Sequence, residues 1–211
     1  MICPIPLGHI LFLYIMVDLF NYTRRASSVA HIGALDLGGD NPIRIQSMTT
    51  TNTNDTEACV RQAEEIIKAG GELVRFTTQG SREAENMKNI NAGIRADGYQ
   101  TPLVADVHFN PNVADVAALY CEKVRVNPGN YVDPARKFIK QEYTDEEYAH
   151  ELQKIEDRFV PFLNICKEHH TAIRIGVNHG SLSDRIRNRY GDTPEGIVES
   201  CLEFLRICKK E

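Results

Sequence analysis

Four short runs of this chain place arginine in step with other polar groups. Ile43–Met48 reads Ile-Arg-Ile-Gln-Ser-Met, Glu72–Thr77 holds Arg75, Lys123–Asn127 reads Lys-Val-Arg-Val-Asn, and Ala172–Asn178 reads Ala-Ile-Arg-Ile-Gly-Val-Asn. A fifth run, Pro102–His108, carries Asp106 and His108 two residues apart. All five are rich in β-branched residues, and in a strand residues two apart share a face. The alternation sorts every run in the same way. One face collects Ile43, Ile45, Val74, Phe76, Leu103, Ala105, Val107, Val124, Val126, Ile173, Ile175 and Val177, as a surface covered by helices requires. The other collects Arg44, Gln46, Arg75, Thr77, Asp106, His108, Arg125, Asn127, Arg174, Gly176 and Asn178.

Several guanidinium groups on one inward face are costly unless something pairs with them. Asp106 is an internal partner, but it cannot neutralise them all. The pattern therefore points to a ligand with more than one negative charge, held where the strands end, and the planar fork of arginine suits phosphate oxygens. Arg75, Arg125 and Arg174 are assigned to that anion. Arg44 lies nearest a strand's amino end, and there a salt bridge within the wall weighs equally with a ligand contact. Beyond two of the runs, Asn127-Pro128-Gly129-Asn130 and Asn178-His179-Gly180-Ser181 place glycine where backbone N–H groups could approach an anion. Asp106 and His108 share a direction and are suited to orienting a hydroxyl or moving a proton. The remaining histidines have no such partner pattern and read as structural.

Amphipathic stretches follow the strands, with helix starts near Asp55, Ser81, Pro111, Thr144 and Thr193. Thr144 with Glu147 has the spacing of a capping box, and Thr193-Pro194 places a cap before a first-turn proline. Tyr148, Leu152, Ile155, Phe159, Phe162 and Cys166 recur at steps of three and four and form a core stripe. Pro161 should kink or interrupt that helix, and Gly70-Gly71 should end the first one. Val29–Leu37 reads as a short antiparallel hairpin of the kind that plugs the base of a barrel. Repeated βα units predict an α/β fold, a TIM (β/α)8-type barrel of which the first five or so units are present.

With 42% hydrophobic and 25% charged residues among 211, the chain has the make-up of a globular protein. Its net charge of -5 offers nothing for a dedicated nucleic-acid or anionic-membrane partner. Its six cysteines show no C-x-x-C spacing and read as reduced cytoplasmic thiols, so no metal site is expected. Cys201 and Cys208, on one helix, should face the core. Ile10 to Val17 is continuously apolar but too short to span a bilayer and lacks the flanks of a secretory signal. We read residues 1–15 as a non-native extension before a start at Met16, and residues 16–211 as the partial barrel.

Four motifs in order, Pro42–Thr49, Val104–Phe109, Val124–Asn130 and Ile173–Leu182, give the chain from about Asp18 onward its family likeness. It resembles the barrel domain of the 4-hydroxy-3-methylbut-2-enyl diphosphate synthase family. The resemblance implies reductive ring opening and dehydration of 2-C-methyl-D-erythritol 2,4-cyclodiphosphate in the MEP route of isoprenoid biosynthesis. Arg75, Arg125 and Arg174 would then grip the diphosphate, Asn127 and Asn178 would hydrogen-bond it, and Asp106 and His108 would line the pocket as catalytic groups. It also implies a [4Fe-4S] cluster held by three cysteines and a glutamate of a further domain, ferredoxin or flavodoxin as electron donor, and a cytoplasmic homodimer. None of the six cysteines matches those ligands. The expectation is a fragment, inactive alone, of the longer three-domain version. Two rivals are a dihydropteroate-synthase-like phosphate-binding transferase and a non-catalytic product of a truncated gene.

Overall fold

A computed structural model of the protein describes residues 25–133 and 142–211. The proposed extension at residues 1–15, Cys3, and most of the connection from Pro134 to Thr144 lie outside the described residues. The elements are β1 (Ala30–Ile32), β2 (Leu35–Leu37), β3 (Gln46–Met48), α1 (Thr56–Lys68), β4 (Leu73–Thr78), α2 (Ser81–Ala96), β5 (Leu103–Val107), α3 (Pro111–Ala118), β6 (Lys123–Val126), α4 (Asp145–His169), β7 (Ala172–Ile175), α5 (Asp184–Tyr190) and α6 (Pro194–Lys210).

Strands β3 to β7 form one parallel sheet in sequence order, and it does not close. All five predicted βα units are present. Asp55 caps α1 by accepting from Ala58 N, Thr144 and Glu147 form the reciprocal capping box of α4, and Thr193 caps α6 ahead of Pro194. Val74, Phe76, Leu103, Ala105, Val107, Val124 and Val126 are buried with the apolar faces of the helices in one core. In that core Phe159 packs edge to face on Tyr131 and Phe204, ring centres 5.6 and 4.9 Å apart.

The β1–β2 hairpin lies where the plug was predicted. Ile32, Leu35 and Leu37 cluster with Leu73, Val104 and Ala172, so the hairpin closes the amino-terminal end of the sheet's inner face. Arg44 is fixed there too, donating to Glu72 at 2.9 Å and to the Asp36 carbonyl at 2.9 Å, which decides for the wall salt bridge.

Three expectations need correction, and one helix is new. Ile43 and Ile45 are not covered by helices but 85% and 59% exposed, because β3 is an edge strand and begins only at Gln46. Pro161 does not interrupt α4, which runs unbroken over 25 residues. Its ring faces solvent, where water can satisfy a carbonyl freed from the helix, while Phe159, Phe162, Leu163 and Cys166 hold both halves to the core. Cys208 packs against the core as expected, but Cys201 is only half-buried and lies outside it. Finally, α5 was not foreseen.

Candidate anion-binding site

The register aligns the polar groups in rows across the sheet. Thr77 pairs with Asp106, Asp106 with Arg125, and Arg125 with Arg174. One row nearer the hairpin, Arg75 is level with Val104, and Val104 with Lys123. Among the described residues, the strands thus bring Arg75, Lys123, Arg125 and Arg174 to the inner face against the single carboxylate of Asp106.

Asp106 is 1% exposed and sits at the centre of the constellation. Arg75 Nη2 donates to its Oδ2, His108 Nε2 lies 3.0 Å from the same oxygen, and Arg125 Nη1 donates to its Oδ1 at 3.2 Å. Burial pushes this carboxyl up, but the hydrogen bond and charge of Arg75, with His108 and Arg125, outweigh it and hold the group below the usual carboxylate range. Arg125 is itself buried and spends Nη2 on the Gly176 carbonyl at 2.5 Å. A Cβ on Gly176 would lie 2.0 Å from Arg125 Nε, so glycine at that position makes room for the guanidinium. The predicted residues Arg75, Asp106, His108 and Arg125 therefore form one connected group. Arg174 stands beside them, exposed and without a side-chain partner among the described residues.

Sequence reading missed Lys123. Its buried side chain shares the face of Arg125, and burial, then Arg174 and Arg75, lower its pKa. The signal was present in Lys-Val-Arg-Val-Asn, where Lys123 falls in step with Arg125 and Asn127.

The glycine loops act differently from what their sequence implied. Asn127 caps a short 3-10 turn, Pro128–Asn130, by accepting from Gly129 N at 3.3 Å, and Asn178 caps another, His179–Ser181, by accepting from Gly180 N at 2.9 Å. Those N–H groups are thus turned to their own loops. Gly129 is small because the other loop runs against it: a Cβ there would sit 1.6 Å from the Ser181 carbonyl oxygen. Asn127 Nδ2 adds a bond to Ser181 Oγ at 2.8 Å.

No group of three or more His, Cys, Asp or Glu residues among those described could hold a metal ion. The five described cysteines do not fit an iron–sulfur cluster. They are spread over α1, the turn after α3, α4 and α6, and burial raises each thiol, Cys166 to about 12, which disfavours the thiolate that iron requires. No described helix is long and apolar enough to cross a membrane.

An open parallel βα sheet with a cationic inner face defines a partial barrel of the TIM type. The chain belongs to the family described as the GcpE TIM-barrel domain, which matches residues 27–211. Over 195 residues it is 76% identical to the 4-hydroxy-3-methylbut-2-en-1-yl diphosphate synthase (flavodoxin) of Phocaeicola vulgatus, covering 92% of this chain and 32% of that protein. The proteins of the same name from Bacteroides thetaiotaomicron and Parabacteroides distasonis are 75% and 67% identical, over 92% and 91% of this chain and 32% and 31% of theirs. The chain spans about a third of the length of these curated relatives.

Proposed function

We propose that this chain is the substrate-binding part of a flavodoxin-dependent 4-hydroxy-3-methylbut-2-en-1-yl diphosphate synthase, and that its inner sheet face binds the diphosphate of 2-C-methyl-D-erythritol 2,4-cyclodiphosphate. The observation that carries this reading is the imbalance of that face, four cations against one carboxylate among the described residues, with Arg75 Nε buried and lacking a hydrogen-bond partner among them. A phosphate oxygen supplies the missing acceptor and the missing charge. The relatives' names supply the product and the electron donor.

In this reading Arg174 and Arg75 meet the diphosphate directly. Arg125, anchored by Asp106 and Gly176, contributes mainly through its fixed charge. Asp106 is ionised and orients His108, whose ring is then set to hold a hydroxyl or carry a proton. Asn127, buried and bonded to Ser181, shapes the loop rim, and Asn178 presents its remaining amide N–H to the ligand. The electron-transferring [4Fe-4S] cluster belongs to the part of the longer protein outside this chain, with flavodoxin or ferredoxin as donor. Residues 16–211 act as the barrel portion of a cytoplasmic enzyme, homodimeric in its full length and dependent on its other domains for turnover.

The test is calorimetric titration of the full-length protein with the cyclodiphosphate and, separately, with a pterin diphosphate. Saturable binding of the first alone supports the reading. Selective binding of the pterin would move the chain to the transferase rival.

A further inference from the structure

Behind the two loops lies an ion cluster that the proposed site does not use. Arg185 of α5 is 3% exposed and donates to both oxygens of Glu203 at 2.8 Å and to both oxygens of Asp133 at 3.3 and 3.0 Å. Tyr148 of α4 donates to Glu203 Oε1 and lies under the Arg185 guanidinium, 4.7 Å from ring centre to Cζ. Two carboxylates and one guanidinium are thus shut away from water. Stability does not explain such a cluster, since well-packed apolar side chains commonly do as well or better in its place. What the cluster fixes is geometry. Asp133 follows Asn127 and Tyr131 in the connection after β6, and Arg185 follows the loop that holds Asn178 and Ser181.

The two loops are therefore joined twice. At the rim of the site, Asn127 bonds Ser181 and Gly129 packs on its carbonyl oxygen. Further along the same connection, Asp133 is forked onto Arg185, which Glu203 holds from α6. Between these points Tyr131 is buried against Phe159 and Phe204, so residues 127–133 have little freedom once both points are tied.

We infer that Arg185 and Asp133 are positioning residues, a buried clamp that keeps the two loops beyond β6 and β7 in register so that the anion meets a preformed rim. The inference rests on the anion-binding reading above. Arg185→Met would strand two buried carboxylates and could fail to fold, so Asp133→Asn is the informative variant. It leaves Arg185 and Glu203 as a neutral, doubly bonded pair and takes from the loop its charge and one of its two acceptors, which loosens the tie.

The experiment uses the full-length protein carrying this chain, with two readouts: calorimetric titration with inorganic diphosphate, and hydrogen exchange read by mass spectrometry. For Asp133→Asn we expect diphosphate affinity to fall about tenfold. Exchange should quicken in residues 128–132 and 179–183 with no ligand present, while β4 to β6 stay protected and the melting temperature stays within about 3 °C of the parent. Unchanged loop exchange would overturn the clamp whatever binds. So would exchange quickened throughout the barrel with a lowered melting temperature, the mark of a general structural role. Quickened loop exchange in a protein whose parent form does not bind diphosphate would keep the clamp and overturn the anion site instead.

Discussion

Arg125 and Arg174 stand side by side in register, yet they should answer differently to truncation. Arg125 is buried and bonded to Asp106 and Gly176, so Arg125→Ala should cost about 1.5–3 kcal/mol of stability as well as binding, the range for hydrogen bonds to charged groups. Arg174 is exposed and has no side-chain partner among the described residues, so Arg174→Ala should leave the melting temperature alone and weaken diphosphate binding by about 1.5–3 kcal/mol. Arg174→Lys should recover only part of that, because the fork is lost. Paired melts and titrations of the full-length variants read both quantities. Asp106 gives a pH signature. Its carboxyl is held down in the fold, so its stabilisation is complete above the unfolded value of about 4 and is lost as pH falls through the lower folded value. The melting-temperature gap between parent and Asp106→Asn should be widest near neutrality and close in acid. A gap independent of pH would deny the carboxylate its role. At this scale, strand alternation made Arg75, Asp106, His108 and Arg125 legible, since a period of two needs no tertiary knowledge. It could not show that the carboxamide oxygens of Asn127 and Asn178 are spent on their own turns, because that depends on how the chain bends after the strand.

At the scale of elements, close approach decides what glycine is for. Gly129→Ala would drive a methyl group into the backbone carbonyl of Ser181, and a backbone atom cannot turn aside as a side-chain tip can. Overpacking of this kind costs roughly 1–3 kcal/mol, and here it should also part the loops. The expected result is a lower melting temperature together with weaker diphosphate binding. Gly180→Ala meets nothing nearer than 3.5 Å and should change neither by much. Helix starts were readable because capping is local: Asp55, Thr144 and Thr193 each bond a backbone N–H within three residues. Helix α5 escaped notice because seven residues, Asp184–Tyr190, with Ile186 as their one aliphatic side chain, give periodicity nothing to work on. It is held by Arg185 in the ion cluster, a partnership between residues 52 and 18 positions apart. β3 was overestimated because Ile43 and Ile45 look like core by residue type, while their exposure follows from edge position.

At the scale of the whole molecule, the sheet formed by the described residues has two open edges, at β3 and at β7. Ile43, Ile45 and Met48 are exposed at the first, and Val198, Leu202 and Leu205 make an exposed apolar stripe on α6. Open edges flanked by apolar surface promote association. The 211-residue chain on its own should elute from size exclusion as oligomers, and a sharp monomer peak with a cooperative melt would show that these five units suffice as a domain. With its five described thiols dispersed and raised, the chain should also take up no stoichiometric four-iron cluster on anaerobic reconstitution, as read by absorption. The central claim is that the inner sheet face is a diphosphate cradle. It is tested most directly by titrating the full-length protein and its Arg174→Ala variant with the cyclodiphosphate. The account predicts saturable binding by the parent, weakening as salt rises, and a loss of at least about tenfold in the variant with an unchanged melt. Equal affinity in the two proteins would contradict it.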